Sequence, residues 1–109
     1  MKYLLAACLI FSGASFAASN ETGKITSILT GPVYGDKLFF KVNGTIKYKA
    51  SCHTNEHFDY VVDISTSTGK AYMSLIMAAY AAGKTVTVSG YHECSIYPGV
   101  SNFRSLNSK

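Results

Sequence analysis

Leu38, Phe40 and Val42 alternate with Phe39 and Lys41, a period of two that lines one face of a strand with apolar side chains. Lys24–Thr30, rich in β-formers, is a strand before it. Gly31-Pro32 breaks that strand, and Tyr34-Gly35-Asp36 reads as a turn. Asn43-Gly44 is a two-residue hairpin signal, and Ile46–Ala50 alternates apolar and polar residues as its returning strand, with Lys47 and Lys49 on the polar face. Phe58–Ile64 is a fourth strand. The hydroxyls of Ser65–Thr68 suit a helix start, because each offers an oxygen to the free amides there. Ala71–Ala82 is the predicted helix, ended by Gly83. Lys84–Tyr91 is a fifth strand with Val86 and Val88 on one face, Pro98-Gly99 is a turn, and Val100–Leu106 is the last strand. Four strands, a helix and two strands predict a mainly β domain with one helix. A small antiparallel barrel of the oligomer-binding (OB) type is expected, with an α+β roll as the alternative.

The helix has two apolar sides. At 100° per residue, Ala71, Tyr72, Leu75, Ile76, Ala78, Ala79 and Ala82 form a broad face for the sheet, and Met73, Ser74, Met77, Tyr80 and Ala81 form the opposite one. Neither carries a charge. A helix apolar all round is buried, which leaves two covers for the outer face: another copy of the chain, or the segment Tyr91–Gly99. The first makes Met73, Met77 and Tyr80 an oligomer interface.

The 109 residues amount to one domain at most, and 48% are hydrophobic, which excludes a disordered chain. Met1–Ala17 reads as a secretory signal: Lys2 is the charged start, Tyr3–Phe11 the apolar core, and Ser15-Phe16-Ala17 the cleavage site. The mature domain is then 18–109, secreted or periplasmic. No later apolar run is long enough to span a bilayer, so no membrane insertion is expected. Leu5-Ala6-Ala7-Cys8 matches a lipidation pattern, but too few residues precede Cys8, which is read as part of the leader. Cys52 and Cys94 remain, and in an exported protein such a pair is read as a disulfide. It would close a loop of about 40 residues and contribute roughly 2–4 kcal/mol.

Few motifs carry chemistry. Cys52, His53 and His57 with His92-Glu93-Cys94 form a conceivable zinc or copper set, but the spacing matches no structural-zinc pattern and the disulfide reading is preferred. No metal or cofactor is expected. Asp59 and Asp63 would stand roughly 13 Å apart on one side of a strand, too wide for an acid/base pair, and are read as partners of lysines. Thr68-Gly69-Lys70 lacks the rest of a phosphate loop. No Ser/His/Asp arrangement stands out, so an enzyme is not expected. The net charge of +4 is modest, and nucleic acid suits an exported chain poorly. Lys41, Lys47, Lys49, Tyr34 and Tyr48 around the first hairpin suit a glycan, including one with an acidic sugar.

Lys24-Ile25-Thr26-Ser27-Ile28, Leu38–Val42, Cys52, and Tyr72–Lys84 followed by Val86-Thr87-Val88 together resemble the receptor-binding B subunits of bacterial AB-type toxins with five B chains, of the subtilase cytotoxin and typhoid toxin type. The resemblance spans about residues 24–94. It implies a secreted, non-enzymatic OB-type subunit that binds host cell-surface glycans, sialylated ones included. It also implies a homopentameric ring whose helices line a pore where a catalytic A subunit docks. Carried over by segment, it implies Thr22, Asn43 and Lys47 as glycan-binding residues. The relatives place a cysteine where this chain has Phe39-Phe40, so here the bridge would run from Cys52 to Cys94. Two other readings compete: a monomeric periplasmic OB-type ligand-binding or stress protein, and an inhibitor of an exported enzyme.

Overall fold

The computed structural model describes residues 18–108, so the predicted signal peptide, residues 1–17, lies outside the described residues. The strands are β1 (Ser19–Thr30), β2 (Lys37–Val42), β3 (Tyr60–Asp63), β4 (Thr85–Gly90) and β5 (Ser101–Ser108), with the helix α1 (Ser67–Ala82) between β3 and β4. They close on themselves in the order β1-β2-β3-β5-β4, and β4 returns to β1. The chain is a small barrel of the expected OB type. It is not wholly antiparallel, because β3 and β5 run parallel through Tyr60↔Ser101 and Val61↔Asn102. A break in register between Ile25 and Ser27 bends β1, which pairs with β4 through its first half and β2 through its second.

Alternation in the strands builds two apolar layers. Leu38, Phe40, Val42, Tyr60, Val62, Val86 and Val88 fill the interior with Ile25 and Phe103, and α1 closes one end with Ile76 and Ala79. Phe39 and Val61 point outward, yet both are buried, because they form a second cluster with Val100 under the loops.

The helix starts at Ser67 rather than Ala71. The Thr66 hydroxyl accepts the Gly69 amide at 2.9 Å, and Gly83 ends the helix in the left-handed conformation, φ 63°. Gly69 is buried against the end of β3, where a Cβ would overlap the Asp63 carbonyl oxygen. The two helix faces differ from the expected division. Ile76 and Ala79 are buried and Met73 packs against the core, while Leu75, placed on the sheet face by the sequence pattern, is exposed.

The predicted returning strand Ile46–Ala50 does not form. Asn43 turns its Oδ1 onto the Lys24 amide at 2.8 Å, and Tyr48 takes a left-handed backbone conformation, φ 57°, which ends any alternation. Lys47 pairs with Asn20 at the start of β1 instead of with β2. Residues 43–59 are therefore one long loop. In exchange β1 begins five residues earlier than predicted, because Ser19–Gly23 pair with β4 through backbone groups that composition does not reveal.

Candidate functional site

Three loops converge on the outer face of β2. The β1–β2 loop makes one 3-10 turn at Pro32–Tyr34. The β2–β3 loop brings Asn55, His57 and Phe58, and the β4–β5 loop brings Tyr97. Together with Leu29 and Phe39 they line an open cavity of about 200 Å³. The ring of Phe39 is its centre. Tyr34 meets it edge-on at 5.4 Å, Tyr97 edge-on at 4.9 Å, and Phe58 lies tilted at 5.8 Å. Edge-to-face packing of this kind fixes the rings, so the apolar walls are formed before any ligand arrives. Asn55 is fixed too: its Oδ1 accepts the amides of His57 at 2.7 Å and Phe58 at 2.9 Å, which leaves its NH2 group for another partner.

The two wall-bearing loops are fastened to each other. The Cys52–Cys94 bridge is formed, three residues before Asn55 on one side and three before Tyr97 on the other. The Gly99 carbonyl accepts the amides of Thr54 and Asn55, each at 3.0 Å. His53 is buried, and its Nδ1 faces the amide and hydroxyl of Ser101, both at 3.1 Å. An Nδ1 that accepts an amide leaves the proton on Nε2, and Nε2 is buried without a partner among the described residues. Burial, and secondarily Lys49, hold the His53 pKa below its usual value. Oxidation of both cysteines removes the conceivable metal set. No group of three His, Cys, Asp or Glu is poised for a metal among the described residues.

Beside the aromatic cavity lies a wider cleft of about 380 Å³, and Asn55 borders both. Its floor is an acid pair. Glu21 is 2% exposed, accepts the Tyr60 hydroxyl at 3.4 Å and faces Asp59. Asp59 is buried, accepts the Val42 amide at 3.0 Å and pairs with Lys41 at 3.6 Å. Burial first, and then the hydrogen bond and charge of Asp59, push the Glu21 pKa up to about 8. The shift favours the protonated form of Glu21. The expectation that Asp59 and Asp63 are solvent-facing lysine partners needs correction. Asp59 is buried beside Lys41, and the exposed Asp63 is bonded to Ser65, which lowers its pKa.

Thr22, Asn43 and Lys47 each make a separate contact along the first half of β1. Thr22 meets the Thr87 hydroxyl at 3.0 Å, Asn43 braces Lys24, and Lys47 pairs with Asn20. None of them lines the aromatic cavity. Met77 and Tyr80 are exposed on α1 at 50% and 46%, and Leu75, on another side of the helix, at 43%. No helix among the described residues is long and apolar enough to cross a membrane. Comparison with known protein families, curated proteins and solved structures finds no match to this chain.

Proposed function

We propose that this protein is a non-enzymatic carbohydrate-binding subunit that works as a homo-oligomer outside the cytoplasm. The observation that carries the reading is the aromatic cavity between the loops flanking β2. OB barrels bind oligosaccharides and oligonucleotides at this place in the fold. A sugar ring offers an apolar C–H face to the rings of Phe58 and Tyr97 and hydroxyls to Asn55 and His57. Aromatic walls with a few fixed polar groups are how small-ligand sites are built. At about 200 Å³ the cavity suits one sugar unit. The disulfide is compatible with an oxidising compartment. Glu21 has the raised pKa of a general acid, but it touches Asp59 directly. Carboxyls that flank a glycosidic bond need about 5–9.5 Å between them, which argues against hydrolysis.

Multivalent display is the second half of the reading. Met77 and Tyr80, three residues apart, form a short apolar stripe on the outside of α1, with Leu75 exposed on another side of the helix, and Met and aromatic residues are enriched where proteins associate. The stripe is where copies of the chain meet, and where a carried catalytic chain would dock. Weak single sites then gain avidity. Native mass spectrometry of the oxidised chain should give a multiple of the monomer mass, and Met77→Glu should return it to monomer.

The binding test is a glycan array. The wild type should retain a defined set of glycans, and Tyr97→Ala should lose at least tenfold on all of them, with the barrel intact by circular dichroism. Equal retention by Tyr97→Ala would remove the cavity from the site.

A further inference from the structure

Tyr48 occupies a conformation that side-chain-bearing residues seldom adopt. Its φ of 57° is left-handed, and its ring is 64% exposed, so packing does not account for it. The backbone is pinned from both sides. Lys47 exchanges two hydrogen bonds with Asn20, at 2.8 and 3.0 Å, and the His92 ring donates Nε2–H to the Tyr48 carbonyl at 2.8 Å. Strain held this way, with the side chain presented to solvent, is characteristic of binding positions.

Cations stand on both sides of Tyr48 in the chain. Lys47 and Lys49, its neighbours in sequence, are both exposed. Across the sheet, Asn20 pairs with Ser89 and Ser89 with Ser105, so the row that Lys47 begins ends next to Arg104, at the register shift of β5. Arg104 reaches the Ser89 hydroxyl at 3.4 Å and stands 5.9 Å over the exposed ring of Tyr91, next to His92. The acid nearest in sequence is Glu93. Three cations and two exposed tyrosines thus share one patch.

The patch is continuous with the aromatic cavity. Asn55 borders both the cavity and the acid-floored cleft, and Lys49 borders the cleft and belongs to the patch. In the cleft Lys41 is paired with Asp59, which leaves Lys49 opposed by Glu56. We propose that the ligand is an extended anionic polysaccharide that seats one sugar unit in the aromatic cavity and runs along the β2–β3 loop, laying its sulfates or carboxylates on the Lys47–Tyr48–Lys49, Tyr91 and Arg104 patch. This rests on the carbohydrate reading of the cavity. A polysaccharide is favoured over nucleic acid because the disulfide is compatible with an oxidising compartment.

The test uses the full oxidised chain and three probes at 0.15 M salt: heparin fragments graded from two to eight sugars, uncharged dextran fragments of the same lengths, and single-stranded DNA of equal charge. Affinity for heparin should rise at least tenfold with length, while dextran stays flat. The triple variant Lys47→Ala, Lys49→Ala, Arg104→Ala should abolish the rise and keep the binding of short neutral sugars. Tyr48→Gly should weaken the long heparin fragment while raising Tm, because glycine relieves the backbone. A flat heparin series, or a rise that the triple variant retains, overturns the proposal and leaves the cavity reading standing. DNA bound as tightly as heparin overturns it in favour of nucleic acid. Short-sugar binding unchanged in Tyr97→Ala defeats the cavity reading itself.

Discussion

Glu21→Gln should flatten the dependence of stability on pH above neutrality. The folded Glu21 holds its proton up to about pH 8, against an ordinary value of 4.5. Between those values the folded chain binds the extra proton, so stability falls as pH rises through that window. His53 acts in the opposite sense. Its folded pKa lies below 6.5, so its contribution is complete above pH 6.5 and is lost as pH falls below that. The two trends oppose each other just below pH 6.5. Above 6.5 the Glu21 trend continues without that opposition, and from there to pH 8 the wild type should lose on the order of 1–2 kcal/mol, at most about 1.4 kcal/mol per pH unit. In a domain of this size that lowers Tm by about 10 °C. A glutamine keeps the hydrogen bonds, donating to Asp59 and accepting from Tyr60, and has nothing to titrate. Thermal melts of both proteins from pH 5 to 9 check this. A wild type whose Tm is level from 6.5 to 8.5 would show that Glu21 is already ionised in the fold.

Removing the disulfide should cost more. Cys52 and Cys94 are 42 residues apart in sequence, and in the chain-entropy account a loop of that length is worth about 4 kcal/mol. That is a large share of the ~5–15 kcal/mol that holds an ordinary domain together. Both cysteines are half-buried, so serine fits without a buried hydroxyl left unpaired. The loss is also local. Without the bridge, the Gly99 carbonyl, the His53–Ser101 contacts, the His92–Tyr48 hydrogen bond and the packing on Phe39 are left to hold the Asn55 wall to the Tyr97 wall. The double variant Cys52→Ser, Cys94→Ser should therefore melt at least 15 °C lower. At a temperature where it is still folded, it should bind glycan more weakly than its remaining barrel structure suggests. Hydrogen exchange should rise first at Thr54, Asn55 and Asn102. An unchanged Tm would mean that the loops are held without the bridge.

Sequence pattern revealed the parts of this fold that depend on neighbours along the chain. The inward set Leu38, Phe40 and Val42 is local alternation, and the helix ends at Thr66 and Gly83 are local capping. The cysteine pair followed from composition alone. Ile46–Ala50 misled because its alternation is real while its partner is not β2: Lys47 pairs with Asn20 on β1, a contact set by tertiary folding. Glu21 was missed because it is charged and lies in a polar stretch. Counting inward positions back from Ile25 through Gly23 would have placed Glu21 and Ser19 inside the barrel, where both are buried.

The aromatic cavity was the least legible part. Tyr34, Phe39, Phe58 and Tyr97 come from one strand and three loops, and only closure of the barrel brings them together. One clue was present in Phe39. A large aromatic at the outward position of β2, within Leu38-Phe39-Phe40, requires that the outer face be covered there as well. Thr22, Asn43 and Lys47 each meet a different partner along the first half of β1, and none of them lines the aromatic cavity.

The most direct test of the account is an NMR titration of the 15N-labelled, oxidised chain with a short neutral oligosaccharide retained on the array. The account predicts saturable shifts at Asn55, His57, Phe58 and Tyr97, with Thr22 and Asn43 silent. Shifts confined to Thr22, Asn43 and Lys47, with the aromatic cavity unmoved, would contradict it and return the site to the start of β1.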